Sequence, residues 1–254
     1  MLSKFTVNLL KTTPKVTTSA FYTTGKTPSQ LKKEKPRKDY KLQLAEPSDT
    51  ENVLCFVHKH FLKEEPLYKA LIPGKKPKFI TDMMRNSMKC GLSVIAKSLC
   101  DNSIVGVSIN EVSCKLDGVK ICKMSHNEKN CELKKLMEVW AIIALQPKLF
   151  ETVGRDEIFH VAVLSVDEKH YRKGIGMSLV KQSLKIAKDK GFEFARMNGT
   201  SDITRIIAEK LGMTKLWSAP YKEILNVGGT EPRCYPEYPH VNASVFYKNL
   251  QCPH

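Results

Sequence analysis

Val163 to Val180 reads VLSVDEKHYRKGIGMSLV, and this stretch decides the fold. It continues an apolar run, Ile158 to Val166 (IFHVAVLSV), that is rich in β-branched residues and too short for a globular helix, so it reads as a strand. A polar turn follows, Arg172-Lys173-Gly174-Ile175-Gly176, and then an apolar-periodic segment from Met177 to Ala187 that reads as a helix. Strand, basic glycine turn and helix N-terminus together make an anion site. Glycine lets backbone N–H groups approach a ligand closely, and the first helical turn aims unpaired donors and partial positive charge at it. A phosphate or pyrophosphate is the expected ligand.

The spacing narrows the choice. No Gly-Lys-Ser/Thr follows a four-residue gap, so the turn is not a P-loop; the third position of a dinucleotide GxGxxG is Leu179. Downstream, Phe192 to Met197 is a second short strand behind a Gly191 helix cap, as a parallel βαβ unit requires. Gly199-Thr200-Ser201 can cap a further helix that ends at Lys210-Leu211-Gly212-Met213. Arg172 to Met177 resembles the acyl-CoA signature of the GNAT N-acetyltransferase superfamily, Arg/Gln-x-x-Gly-x-Gly/Ala, one residue off its commonest layout. The hydroxyl-capped helix ending in Lys-Leu-Gly-Met is similar to that superfamily's next block. The resemblance implies an α/β fold with a mixed central sheet and helices on both faces. It implies acetyl-CoA as co-substrate, with no metal. Its pyrophosphate would lie on the backbone of Arg172, Lys173, Gly174, Ile175, Gly176 and Met177, and its pantetheine along Leu164, Ser165 and Val166, where backbone N–H near Val166 would polarise the thioester carbonyl.

Phe61-Leu62-Lys63-Glu64-Glu65-Pro66-Leu67 resembles the Phe-x-x-Asp/Glu-Glu-Pro-Leu segment of the insect-type arylalkylamine (dopamine) N-acetyltransferases, and scattered blocks over residues 43–250 are similar to theirs. The resemblance implies a small primary amine as acceptor, direct transfer, and Glu65 as general base, with Glu64 as its rival and a candidate for substrate binding. An amine is protonated at neutral pH and only its neutral form attacks a thioester, so a carboxylate in the acceptor cleft suits the reaction. The plainer reading makes both glutamates solvated residues before a Pro66 at the first helical position. Ser201 and Thr204 match hydroxyls assigned to proton delivery toward the leaving thiolate, with Thr200 beside them; a capping role is the alternative. Tyr221 falls where many of these enzymes hold a tyrosine near the CoA sulfur. His160 reads as a strand core residue or a proton relay, and His240 as a lining of the acceptor pocket or a turn residue.

The rest of the chain bounds these readings. The 254 residues suit one domain, 41–254, plus a basic N-terminal tail, 1–40. That tail carries nine Lys and Arg against Glu34 and Asp39, about half of the net +15, and no acid precedes Glu34. With an amphipathic start and many hydroxyls it resembles a mitochondrial transit peptide, the cytoplasm being the alternative location. Because so much charge sits in the tail, a nucleic-acid partner is not expected; no run spans a membrane, and a monomer is expected. The eight cysteines hold no Cys-x-x-Cys and no zinc spacing, so no metal site and no disulfide are expected. Helices are expected at Ser48–Phe61, after Pro66, near Asp82–Met88 and at Cys131–Ala144. A hairpin is expected from Leu92–Lys97 and Ile104–Val112, strands near Thr214–Lys222 and Ala243–Tyr247, and a long loop across Cys114–Lys134. Two competing functions remain: acetylation of polyamines or protein amines, and a non-enzymatic acyl-CoA- or RNA-binding protein on the same fold.

Overall fold

The computed structural model describes residues 39–227 and 234–251; the basic segment 1–38, and with it the transit-peptide expectation, lies outside them. The order begins β1 (Tyr40–Leu44), α1 (Thr50–Glu64), α2 (Pro66–Leu71) and α3 (Lys78–Met88), followed by the hairpin β2 (Val94–Ser98) and β3 (Ile104–Cys114). Next come α4 (Asp117–Asn127), α5 (Cys131–Leu145), α6 (Leu149–Val153) and β4 (Glu157–Val166). The chain continues with α7 (Ile175–Asp189), β5 (Phe194–Gly199), α8 (Asp202–Lys210), β6 (Thr214–Pro220), α9 (Tyr221–Leu225) and β7 (Asn242–Asn249).

These strands form one sheet in the order β1-β2-β3-β4-β5-β7-β6, antiparallel except where β4 meets β5. The residues of α1, α2, α3 and α5 pack a core on one face, and α7 and α8 cover the other. This is the expected mixed sheet with helices on both faces. The stripe that holds α7 down, Ile175, Leu179, Val180, Leu184 and Ala187, has helical spacing. Ile175 is the first of these, so the glycine turn is fixed to the sheet by its own next residue. A Cβ on Gly106 of β3 would stand 2.9 Å from Ile175 Cγ2, which explains a glycine at that strand position.

One irregularity shapes the site. Ile109 pairs with Val163 but Asn110 pairs with Val161, which leaves Ala162 as an extra, bulged residue of β4. On its other side β4 pairs with β5 only at Phe159–Ala195, His160–Arg196 and Val161–Met197. The parallel pairing therefore stops where the bulge begins, and Leu164 to Val166 diverge from β5.

The expected Cys114–Lys134 loop is corrected: most of it is α4, packed on α5. Most of its polar residues are exposed, while Gly118 brings the two helices so close that a Cβ there would meet Leu145 Cγ at 2.7 Å. Asp117 Oδ2 takes the Cys114 N–H at 2.6 Å and starts the helix. The strand expected through Lys222 ends instead at Pro220, and Tyr221 opens α9. Neither β1 nor α6 carries enough periodicity to be read from the sequence.

Candidate active site

The local sequence dictates where Glu65 stands. A residue before proline is kept out of the α region, so α1 must end at Glu64 and Glu65 turns extended, with φ −67° and ψ 125°. Pro66 then opens α2 at its first position, where no N–H is needed. Glu65 becomes the N-cap: its Oε2 accepts the Tyr68 N–H at 2.8 Å. The side chain is buried, and burial pushes its carboxyl up to about 7 against the pull of the Tyr68 and Leu67 N–H groups and the Thr200 hydroxyl, which all favour the carboxylate. Glu64, one residue earlier, is exposed at the end of α1.

Glu65 lines a cleft of about 1240 Å³ whose walls also include Leu164, Ser165 and Val166 together with Arg172, Gly174, Ile175, Gly176 and Met177. In that turn Gly174 is the N-cap of α7 at φ 74°, and Arg172 takes a left-handed φ of 63°. The first N–H groups of α7 are thus presented as the sequence implied. Gly176 sits over the diverging strand: a Cβ there would lie 3.8 Å from the side chains of both Leu164 and Val166 and 3.4 Å from Ile207 Cδ1. Lys173 behaves differently from its neighbours. Its Nζ pairs with Asp39 Oδ2 at 2.6 Å, and its side chain is not part of the cleft wall.

The hydroxyl cluster lies on the third side. Ser201 is the N-cap of α8, its Oγ accepting the Thr204 N–H at 3.1 Å, while Thr204 Oγ1 accepts the Ser201 N–H at 3.1 Å and donates to the Ser201 carbonyl at 2.9 Å. Thr204 therefore commits its proton to backbone. The Ser201 hydroxyl then donates to Thr204 Oγ1 at 3.0 Å, and both residues line the cleft. His240 Nδ1 accepts the Asp202 N–H at 3.1 Å, so this ring both lines the cleft and closes the start of α8. Tyr221 is buried and is not in the wall; its Oη donates to the Thr200 carbonyl at 2.6 Å.

Two groups of site residues escaped the sequence reading. Asp117, Lys120, Ile121 and Met124 of α4 line the cleft; their helical spacing was hidden by the polar composition around them. Aromatic rings of Phe61, Tyr68, Phe79 and Trp140 also line it, with Tyr68 and Trp140 centroids 6.0 Å apart. They are spread over α1, α2, α3 and α5, so no contiguous motif announces them.

No protein-family model matches the chain. Among solved structures, it is similar to arylalkylamine N-acetyltransferase 2 from Aedes aegypti, with a TM-score of 0.77 and 23% identity over 84% of this chain and 100% of that one. It is similar to the Drosophila melanogaster polyamine N-acetyltransferase that forms N-acetylagmatine, with a TM-score of 0.75 and 16% identity over 83% and 100%. An agmatine N-acetyltransferase variant in its apo form gives 0.77 and 16% over 84% and 100%. Diverging β4 and β5, the glycine turn before α7 and agreement over the full length of these structures lead to one conclusion: the chain has the fold of the GNAT N-acetyltransferases.

Proposed function

We propose that the protein is an acetyl-CoA-dependent N-acetyltransferase of a small primary amine, with Glu65 as the general base. One observation carries the reading: a buried carboxylate, pushed up to about 7 by burial, lines the same cleft as a glycine turn at a helix N-terminus. The residues fit acetyl-CoA. Leu164 to Val166 have β3 on one side and no β5 partner on the other, so their peptide groups can pair with an extended amide-bearing chain. The N-terminal N–H groups of α7 and the Arg172 guanidinium suit a pyrophosphate. Acetyl-CoA supplies the activated acyl carbonyl.

The chain's own groups then do the following. Glu65, half ionised near pH 7, holds the acceptor ammonium and takes its proton. The neutral amine attacks; the C–N bond forms and the C–S bond breaks, and the second proton lost by the nitrogen passes to the departing sulfur, with the Ser201 hydroxyl able to relay it by taking one proton as it gives its own. Unpaired N–H groups near Val166 are aimed where negative charge develops on the carbonyl oxygen. The aromatic lining favours an arylalkylamine acceptor. A polyamine is the second reading, favoured by a further carboxylate, Glu111, in the same cleft. Mitochondrial import is proposed for the basic N-terminal segment.

The test is CoA release over a panel of arylalkylamines, polyamines and peptides, for the full chain and Glu65→Ala. Turnover that the substitution cuts at least a hundredfold supports the reading. Binding of acetyl-CoA with no turnover of any amine overturns it, and full activity in Glu65→Ala removes Glu65 as base.

A further inference from the structure

The turn that leads from β4 to α7 holds a histidine that the transfer chemistry above does not use. After Val166 the chain makes one 3-10 turn, Glu168–His170, capped by Asp167. Backbone and side chain fix this turn. The Asp167 N–H donates to the Val105 carbonyl of β3 at 3.0 Å, and the His170 N–H donates to the Asp167 carbonyl at 2.8 Å. Asp167 Oδ1 accepts the Lys169 N–H at 3.1 Å. The His170 side chain lines the cleft, as do Arg172 and Gly174 of the glycine turn. Its Nδ1 is buried without a hydrogen-bond partner, which is uncommon for a buried ring nitrogen. Asp167 Oδ2 stands 3.8 Å from it, beyond hydrogen-bond reach but well inside the range of charge.

The fixed charges around this histidine match a pyrophosphate poorly. Lys173 is taken by Asp39 and stands off the cleft wall. The Lys173 hydrogen bond pulls the Asp39 carboxyl down, and His170 is among the nearby charges that add to the pull, so this pair and the histidine are neighbours. Helix α1 faces the turn. Burial pushes the Tyr171 phenol up, helped by the charges of Glu64, Glu168 and Asp167. Burial also pushes the His60 imidazole down, Asp167 and Glu168 opposing it while Lys59 and Lys63 add to the fall. Of these ionic side chains only Glu64 and Arg172 belong to the cleft wall, and they offset each other; Asp167, Glu168 and Lys169 stand outside it. With its imidazoles neutral, this stretch of wall offers a polyanion the first N–H groups of α7 and one guanidinium already balanced by a carboxylate.

We propose that His170 takes up a proton from solvent when the acyl-CoA pyrophosphate binds, and holds the phosphate as a cation. This rests on the acetyl-CoA reading above and says how the donor site acquires its missing charge. Imidazole is the side chain that changes charge near neutral pH, and in its protonated form both nitrogens donate. The buried Nδ1–H then lies on the side of the Asp167 carboxylate, which leaves the opposite edge of the ring, with its Nε2–H, to the cleft. A phosphate on that edge and Asp167 on the other hold the imidazolium from both sides, whereas without a donor only the carboxylates do. Opposite charges at such range favour the charged form. The linkage is reciprocal: if the donor favours the protonated ring, the protonated ring favours the donor by the same factor. Donor affinity is therefore highest at acid pH and falls as pH rises through the imidazole range.

The probe is acetyl-3′-dephospho-CoA, which keeps the pyrophosphate but has no phosphate monoester to titrate near pH 7. Its binding to the full chain is followed by calorimetry from pH 6 to 8.5, in buffers of different ionisation enthalpy, so that the protons taken up are counted directly. S-acetylpantetheine, which lacks the pyrophosphate, serves as the reference and subtracts proton exchange elsewhere in the cleft, at Glu65 above all. The dephospho-CoA ester should take up roughly 0.5–1 proton more than the reference at pH 7.5, and bind about tenfold or more tighter at pH 6 than at pH 8.5. His170→Gln should abolish the excess uptake and flatten the pH dependence, while His60→Gln should preserve both. Equal uptake by the two ligands in the parent protein overturns the proposal without recourse to any variant. Excess uptake that survives in His170→Gln overturns it as well. Binding of acetyl-CoA that is independent of pH sinks this inference and leaves the acetyltransferase reading standing; no binding of either CoA ester at any pH removes both.

Discussion

The Tyr221 phenol donates to the Thr200 carbonyl at 2.6 Å, and the hydroxyl of the same threonine bonds to Glu65. A buried tyrosine behind the site therefore fixes the residue that holds the base. Burial pushes the Tyr221 phenol well above its ordinary value, helped by the Glu65 charge, so it keeps its proton across the working pH range. Tyr221→Phe should cost about 1–3 kcal/mol, the penalty for an orphaned buried carbonyl. Kcat should fall modestly, while the shape of the pH–rate profile above pH 7 stays as it is in the parent. A change in that shape would show that the phenol gives up its proton in the reaction.

Glu65 should set the acid limb. With its carboxyl pushed up to about 7 by burial, kcat/KM should rise tenfold per pH unit below that value and level off above it. Glu65→Gln should remove the limb and lower kcat by roughly 10²–10⁴-fold. A steady-state pH series on both proteins decides this.

The same shift predicts a stability effect of definite sign. Glu65 has its folded pKa at about 7, above the 4.5 of the free side chain. The native state thus holds the extra proton between these values, and its stability is fully present below 4.5 and falls as pH rises through 7. The loss amounts to about 3 kcal/mol at 1.36 kcal/mol per unit. Glu65→Gln keeps an acceptor for the Tyr68 N–H without the charge. Relative to the parent it should gain several degrees in Tm at pH 8 and little at pH 4.5, as read by thermal denaturation at both pH values.

Two glycines two residues apart should respond oppositely to alanine. Gly174 has φ 74° and open space around its Cβ direction, so Gly174→Ala carries only backbone strain, about 1–2 kcal/mol. Gly176 has ordinary helical φ and ordinary contacts, so Gly176→Ala should be neutral or stabilising by about 0.5–1 kcal/mol. Urea melts of the two variants check the stabilities. Acetyl-CoA titrations should show weaker binding for Gly174→Ala, whose cap no longer presents the α7 donors correctly.

Capping and proton delivery can be separated at Ser201. Ser201→Ala removes the α8 cap and should cost about 1 kcal/mol, whereas Ser201→Asp restores the cap. Aspartate at neutral pH has no proton to give, so Ser201→Asp should recover stability and leave kcat low. Recovery of both in Ser201→Asp would reduce Ser201 to a cap.

The fold was legible where chemistry and periodicity coincide in a short window. The βαβ segment and the Ser201 cap depend on neighbours a few residues away and stand where the sequence puts them; the helix expected from Met177 begins two residues earlier, at Ile175, with Gly174 as its cap. The break at Glu65-Pro66 is equally local, because proline forbids the helix to continue. What stayed hidden is non-local. Arg196 reads as an arginine in a strand until His160 and Glu111 arrive beside it from strands 36 and 85 residues earlier. Helix α4 was masked by surface lysines, since only Gly118 and a few apolar positions mark its packed side. The Ala162 bulge has no sequence signature; it follows from how β3 and β4 settle against each other.

The short β4–β5 joint has a mechanical meaning. Three residue pairs are all that stitch the sheet's first block, β1 to β4, to its last, β5, β7 and β6. Two of those pairs contain His160 and Val161, residues of the cleft wall. The seam is therefore both the sheet's weakest joint and the floor under its chemistry. A change that loosens it will draw Glu65, held with α1 against β4, away from Thr200 and Ser201 beyond β5, so damage at this position will register first as lost turnover.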